Sequence, residues 1–294
     1  MVSFSPSAIW RTTFALLLLP FSPRLAAQNG QAAPPARIRP IVDAHAKGGV
    51  RARLTAVRAL REETLAAAEI EALWDFLAET PKQANLPMAK LNHLRNDVLN
   101  LLVYHTPILP DVGERLIAMY RDNTQNRTWR DYCIQFLGQF YARASAASQA
   151  DIRDLLREVA RDHTVPTAGT ALIALTDNLA SPEIHREDII TAALAIAGNP
   201  KASAGARMTA FQICAKLGAK AALPHARQAA AGETAKSISV RMAATAALGF
   251  LGDPGEQADH ELLAKLQRSG ESRIRQAAAG ALRRLDQRAA PPAR

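Results

Sequence analysis

Val240-Arg241-Met242-Ala243-Ala244-Thr245-Ala246-Ala247-Leu248-Gly249-Phe250-Leu251-Gly252-Asp253-Pro254 decides the fold, because its opening recurs at a fixed distance on both sides. Ala206-Arg207-Met208-Thr209-Ala210 starts 34 residues before it, and Ile274-Arg275-Gln276-Ala277-Ala278 starts 34 residues after it. An apolar residue, an Arg and a run of small helix formers at that period mark a helical solenoid. Each unit of a solenoid buries its apolar face only against its neighbours.

Working outward, the chain divides into helix pairs. Residues 221–231 precede 237–251, and 257–268 precede 272–286. Upstream, the apolar spacing and the cap residues give pairs at 187–197 with 203–217, 149–162 with 167–180, 111–121 with 127–143, and 65–79 with 88–104. Thr64, Asp111, Ser148 and Thr167 stand where side-chain N-caps are expected. Turns such as Gly198-Asn199-Pro200 and Gly252-Asp253-Pro254-Gly255 separate the helices. Residues 50–62 read as one further helix that covers the first pair. Placed in register, the second helices offer Arg95, Arg130, Gly169, Arg207, Arg241 and Arg275. The fold expected is all-α, an α-α superhelix of about six antiparallel helix pairs over residues 50–287.

The segment from Ser239 to Pro254 resembles a HEAT repeat, of the short variety also found in phycobilin lyases. Ser272-Arg273-Ile274-Arg275-Gln276-Ala277-Ala278-Ala279-Gly280-Ala281-Leu282 shares the pattern, and residues 205–218 share it more loosely. The resemblance is strongest over 200–287. It implies a right-handed stack whose second helices line a concave face. It further implies that Arg207, Arg241 and Arg275 bond acidic side chains or carbonyls of the inter-helix turns. The family holds scaffolds, adaptors and a few enzymes, so the resemblance settles architecture before activity.

The ends read differently from the body. Arg11, the apolar run Phe14–Phe21 and the small residues Leu25-Ala26-Ala27 form the pattern of a secretory signal peptide, so 1–27 is expected to be removed and the remainder exported to the periplasm or beyond. That run is too short to span a bilayer. Residues 28–49, with Pro34-Pro35 and Gly48-Gly49, read as a flexible linker, and 288–294 as a disordered tail. The net charge is +9, or +7 once Arg11 and Arg24 are removed; 28 of the 36 basic residues are Arg. An Arg-rich balance of this kind suits two-pronged bonding within the fold as well as anionic partners. The two cysteines, Cys133 and Cys214, are 81 residues apart, about two repeats, and sit in apolar helical stretches. They are expected to be buried thiols rather than a bridge.

For chemistry the sequence offers little. It has no Gly-rich phosphate loop, Gly-x-Ser-x-Gly elbow, CxxC or HExxH. No two of the seven histidines lie three or four residues apart. An iron-dependent hydroxylase built from HEAT-like repeats uses several His-Glu dipeptides; His260-Glu261 stands alone here, and neither metal nor cofactor is expected. Trp129-Arg130-Asp131-Tyr132, with Arg95, is the candidate partner-binding patch, since Trp and Arg anchor interfaces. The competing reading packs Trp129 beneath the neighbouring pair and gives Arg130 and Asp131 to the turn. Residues 261–294 carry a net charge of +5, which suits either an anionic surface or the solvated face of a terminal repeat.

The reading drawn is an exported, non-enzymatic scaffold or adaptor that binds a protein partner. The alternatives are a binder of an anionic polymer through Arg-rich patches, nucleic acid being the less expected form because of the export signal, and an enzyme similar to the phycobilin lyases or repeat-built DNA glycosylases. Function is expected where the repeat is broken, around residues 88–180, rather than where it is regular.

Overall fold

A computed structural model describes residues 33–289. The expected export signal at 1–27 and the end of the expected tail, 290–294, lie outside the described residues. Among the described residues there are fourteen α-helices and no strand. They are α1 (Arg39–Val42), α2 (Gly49–Ala59), α3 (Ala67–Ala78), α4 (Met88–Val103), α5 (Val112–Arg121), α6 (Arg127–Phe140) and α7 (Ala146–Arg161). They continue as α8 (Ala168–Asp177), α9 (Arg186–Gly198), α10 (Ala204–Lys216), α11 (Leu223–Ala231), α12 (Ile238–Leu251), α13 (Gln257–Leu266) and α14 (Ser272–Ala289). None of them is long and apolar enough to cross a membrane.

The helices pair in sequence and stack in two layers, odd-numbered first helices on one side and even-numbered second helices on the other. This is the HEAT-like helical solenoid. The two layers are held together by different means. In the second-helix layer the contacts are made by the smallest residues. A Cβ on Gly138 would lie 2.5 Å from the Ala174 Cβ, and one on Gly249 would lie 2.6 Å from the Ala281 Cα. In the first-helix layer long charged side chains span wider gaps. Arg115 of α5 reaches Glu71 of α3 at 2.7 Å, Arg157 of α7 reaches Asp188 of α9 at 3.4 Å, and Arg227 of α11 grips the fully buried Asp259 of α13 at 2.7 and 3.0 Å. A stack with one layer spaced more closely curves toward that layer, which puts the second helices on the inside.

Local chemistry sets most boundaries. Asn126, Ser145 and Ser203 cap α6, α7 and α10 by accepting the backbone N–H three residues on. The cap of α7 is thus Ser145, and the expected Ser148 is the residue whose N–H it receives. At α3 the cap position is Ala66 rather than Thr64; Glu69 reaches back to the Ala66 N–H at 2.8 Å. Asp111 and Thr167 hold cap positions without a side-chain cap bond. Asp122, Asp162 and Asn199 each accept the N–H two residues ahead, closing the turns after α5, α7 and α9.

Two boundaries need correction. The expected linker is folded from residue 34 onward: Ile38 and Ile41 are fully buried, and Arg37 holds Glu69 of α3 at 2.7 Å. Its Pro-rich composition hid three apolar side chains (Ile38, Ile41, Val42) that enter the core of the first pair. The short helix α1 and α2 thus make a seventh, truncated pair rather than a single covering helix. At the other end α14 runs on to Ala289, because Arg288 donates to the carbonyls of Phe250 and Gly252 at the end of α12.

Candidate functional site: the second-helix groove

The bonding of the arginine column decides which arginines are free to bind anything. Arg95 donates to the Glu79 carbonyl, Arg130 to Tyr120 at 2.6 Å, Arg207 to Ala197 at 3.1 Å, Arg241 to Ala230 at 3.3 Å and Arg275 to Ser269 and Gly270 at 2.8 Å. In each case the acceptor is a carbonyl in the last turn of the first helix or just beyond it, where carbonyls lack an intrahelical partner. Several arginines also reach forward to the next repeat. Arg207 bonds Thr234 O at 2.7 Å, and Arg95 bonds Gln125 Oε1 at 3.3 Å. Arg53, which the sequence spacing did not single out, makes the same two-turn bond, to Ile41 O at 2.6 Å and Ala84 O at 2.9 Å. Each such guanidinium ties its own turn to the following one, a geometry that a fork of fixed donors provides and an ammonium does not.

The candidate patch at 129–131 separates on inspection. Trp129 is fully buried, with the Arg95 guanidinium 4.7 Å from its ring centroid, so neither residue can meet a partner. Burial lowers the Arg95 pKa to about 10, which leaves it cationic at neutral pH. Arg130 is half-buried over the Tyr120 ring at 4.9 Å and serves the turn. Trp129, Arg130 and Arg95 are therefore corrected from surface anchors to packing and turn residues. An aromatic beside two charges reads as surface in the sequence, whereas its burial is set by the preceding repeat lying across it.

Asp131 alone of the four opens onto the inner face. It accepts the Thr170 hydroxyl at 2.7 Å across from α6 to α8. Around that bond lies a groove of about 410 Å³, lined by Asp131, Gln135, Gln139, Thr170, Ile173 and Asp177, with Gly138 and Ala174 as its floor. It continues into a second hollow of about 460 Å³ toward the N-terminal ends of α6, α8 and α10, which adds Arg127, Thr128, Pro166 and Met208. Asp131, Thr170 and Ile173 belong to both. The floor is low because its residues are small: α6 and α8 approach through Gly138, and α8 and α10 through Gly169, where a Cβ would stand 3.1 Å from the Ala206 Cα. Gly169, where the arginine column is interrupted, lines the second hollow.

The groove is chemically mixed. Gln135 and Gln139 are exposed amides, each able to donate and accept. Ile173 is 44% exposed and is one of the few large apolar side chains turned to solvent. The two carboxylates are engaged with neighbours, Asp131 with Thr170 and Asp177 with Lys216 of α10 at 3.3 Å. They do not face each other as an acid and base pair. Gln135, Gln139, Thr170, Ile173 and Asp177 were not singled out in the sequence; the only signals there were the Gly at 169 and the stretched spacing around it.

Elsewhere, His260 lies 3.0 Å from the Pro254 carbonyl, and Glu261 accepts the Gln257 amide at 2.6 Å. Among the described residues no three His, Cys, Asp or Glu side chains converge as metal ligands. Cys133 and Cys214 are free, buried thiols whose pKa values burial raises to about 12, which makes them poor nucleophiles.

Among solved structures, the chain is similar to human deoxyhypusine hydroxylase in complex with glycerol. The identity is 16% and the TM-score 0.36, over 86% of this chain and 95% of that one. No protein-family model matches the chain. No curated protein matches it either.

Proposed function

We propose that this protein is an exported, non-enzymatic scaffold or adaptor of the cell envelope, which holds an extended segment of a protein partner in the groove across α6, α8 and α10. The observation that carries the reading is the groove itself, open along its length and lined by paired amide side chains, a hydroxyl and one exposed isoleucine. An extended chain presents alternating N–H and C=O groups, which Gln135 and Gln139 can meet from either end of their amides, while Ile173 offers an apolar contact. The placement outside the cytoplasm rests on the signal-like pattern of residues 1–27, and the finer likeness to short, phycobilin-lyase-like repeats rests on the segment 239–254.

Selection of a displayed peptide library against the protein tests this. Peptides that bind the wild type should lose at least about tenfold in affinity toward an Ile173→Glu, Gln139→Ala variant, since an apolar contact and a shared hydrogen bond are both removed. Both side chains are exposed, so the melting temperature should not move. Failure to enrich any sequence, or equal binding to the variant, would count against the groove as the recognition surface.

A further inference from the structure

Arg130 and Arg241 each make only the bond to their own turn, and Arg241 lines a pocket. Arg207 spends its guanidinium on both its own turn and the next, at Ala197 and Thr234. Arg241, one repeat on, makes only the bond from Nε to Ala230 O. The carbonyls it would reach in the next turn, those of Ser269 and Gly270, are occupied instead by Arg275. The two terminal nitrogens of Arg241 have no hydrogen-bond partner among the described residues and are not buried.

They face a hollow of about 560 Å³ between the end of α11, the start of α12 and the end of α13, and Lys265 and Arg268 line the same hollow. Neither of these two cations forms an ion pair among the described residues, whereas many of the arginines in the first-helix layer do. The single carboxylate in the lining is Glu261, which accepts the Gln257 amide at 2.6 Å. Ser269, also in the lining, uses its hydroxyl oxygen to accept the Glu271 N–H at 3.2 Å. The pocket therefore holds three cationic groups against one carboxylate; two of the three, Arg241 and Arg268, are planar forks, and the terminal donors of Arg241 are not used by its turn bond.

We infer that the Arg241–Lys265–Arg268 pocket is a binding site for a phosphate-type oxyanion. The fork of Arg241 supplies two parallel donors matched to two oxygens of a tetrahedral anion, and the flanking Lys265 and Arg268 supply charge from the rim. The pocket volume lies in the range of sites for small ligands, with room for a diphosphate or for the head of a larger phosphate-bearing molecule. This site is on the turn edge of the last repeats and is separate from the inner-face groove, so it neither requires nor supports the protein-binding reading.

The test uses the purified chain in low salt with two probes: inorganic pyrophosphate, followed by titration calorimetry, and phosphatidylglycerol vesicles, followed by co-sedimentation. Saturable binding of either probe is expected, and Lys265→Ala with Arg268→Ala should weaken it at least about tenfold. Both replaced side chains are exposed, so the variant should fold normally. A control that removes the same charge from α14 instead, Arg273→Ala with Arg283→Ala, should leave the affinity within about twofold. Binding of pyrophosphate identifies a free phosphate compound as the source of the ligand, and binding of vesicles alone identifies a lipid headgroup. No binding of either probe overturns the inference, as does binding that the two double variants weaken equally, which would reduce the effect to diffuse charge.

Discussion

Arg207 shows in one side chain how the stack is locked. It is 3% exposed and its rigid fork spans two successive turns. Replacing it with Ala orphans Ala197 O and Thr234 O and should cost about 2–3 kcal/mol, a fall in melting temperature of several degrees for a chain of this size. Arg207→Lys should recover little of that. Arg241→Ala, which loses one 3.3 Å bond, should cost about 1 kcal/mol; equal losses at both positions would sink the two-turn account. This column was legible from the 34-residue spacing, but Arg53 was not, because its acceptor belongs to a four-residue helix hidden in a Pro-rich stretch.

A second residue carries a pH signature. Glu79 lies between Arg53 and Arg95 with one carboxylate oxygen buried and unbonded, and burial outweighs both cations to raise its pKa to about 7. Between the ordinary carboxylate value and about 7, the unfolded chain has released this proton while the folded chain keeps it. Stability therefore falls as pH rises through that window and is level above it. Glu79→Gln should remove that fall, so thermal melts from pH 4.5 to 8 should show a flatter profile than wild type. An unchanged profile would mean that the folded protein already holds Glu79 ionised throughout.

At the scale of the helix, small residues do what cap and propensity rules cannot foresee. A Gly inside a helix ordinarily costs about 1 kcal/mol relative to Ala, so Gly249→Ala would be expected to stabilise an isolated α12. Here the added methyl meets the Ala281 backbone at 2.6 Å, which forces α14 away. The substitution should destabilise by about 1–3 kcal/mol, as overpacking does, measured by chemical denaturation; a gain in stability would refute the close approach of the second helices. Helix order and most boundaries were readable from apolar spacing and turn residues. The burial of Trp129 was not, since local sequence does not reveal which neighbouring repeat lies across a given face.

For the whole molecule, the fold divides its labour between layers. Ion pairs hold the first helices at a distance, and glycine and alanine draw the second helices together, so the inner face belongs to the even-numbered helices α2 to α14. Where α6 and α8 meet through Gly138 and Ala174 the floor is low, and the groove with Asp131, Gln135, Gln139, Thr170 and Ile173 lies over it. The sequence pointed to this region through its stretched spacing, but the lining residues come from different repeats, and no local motif joins them.

The central claim, that this groove receives a protein partner, is tested most directly by site-specific photo-crosslinking. A benzophenone amino acid placed at Ile173 on the inner face should capture one discrete protein from envelope extract, while the same group at the exposed Ala195 on α9 of the outer layer should not. Capture of the same mixture at both positions, or of nothing at Ile173, would contradict it.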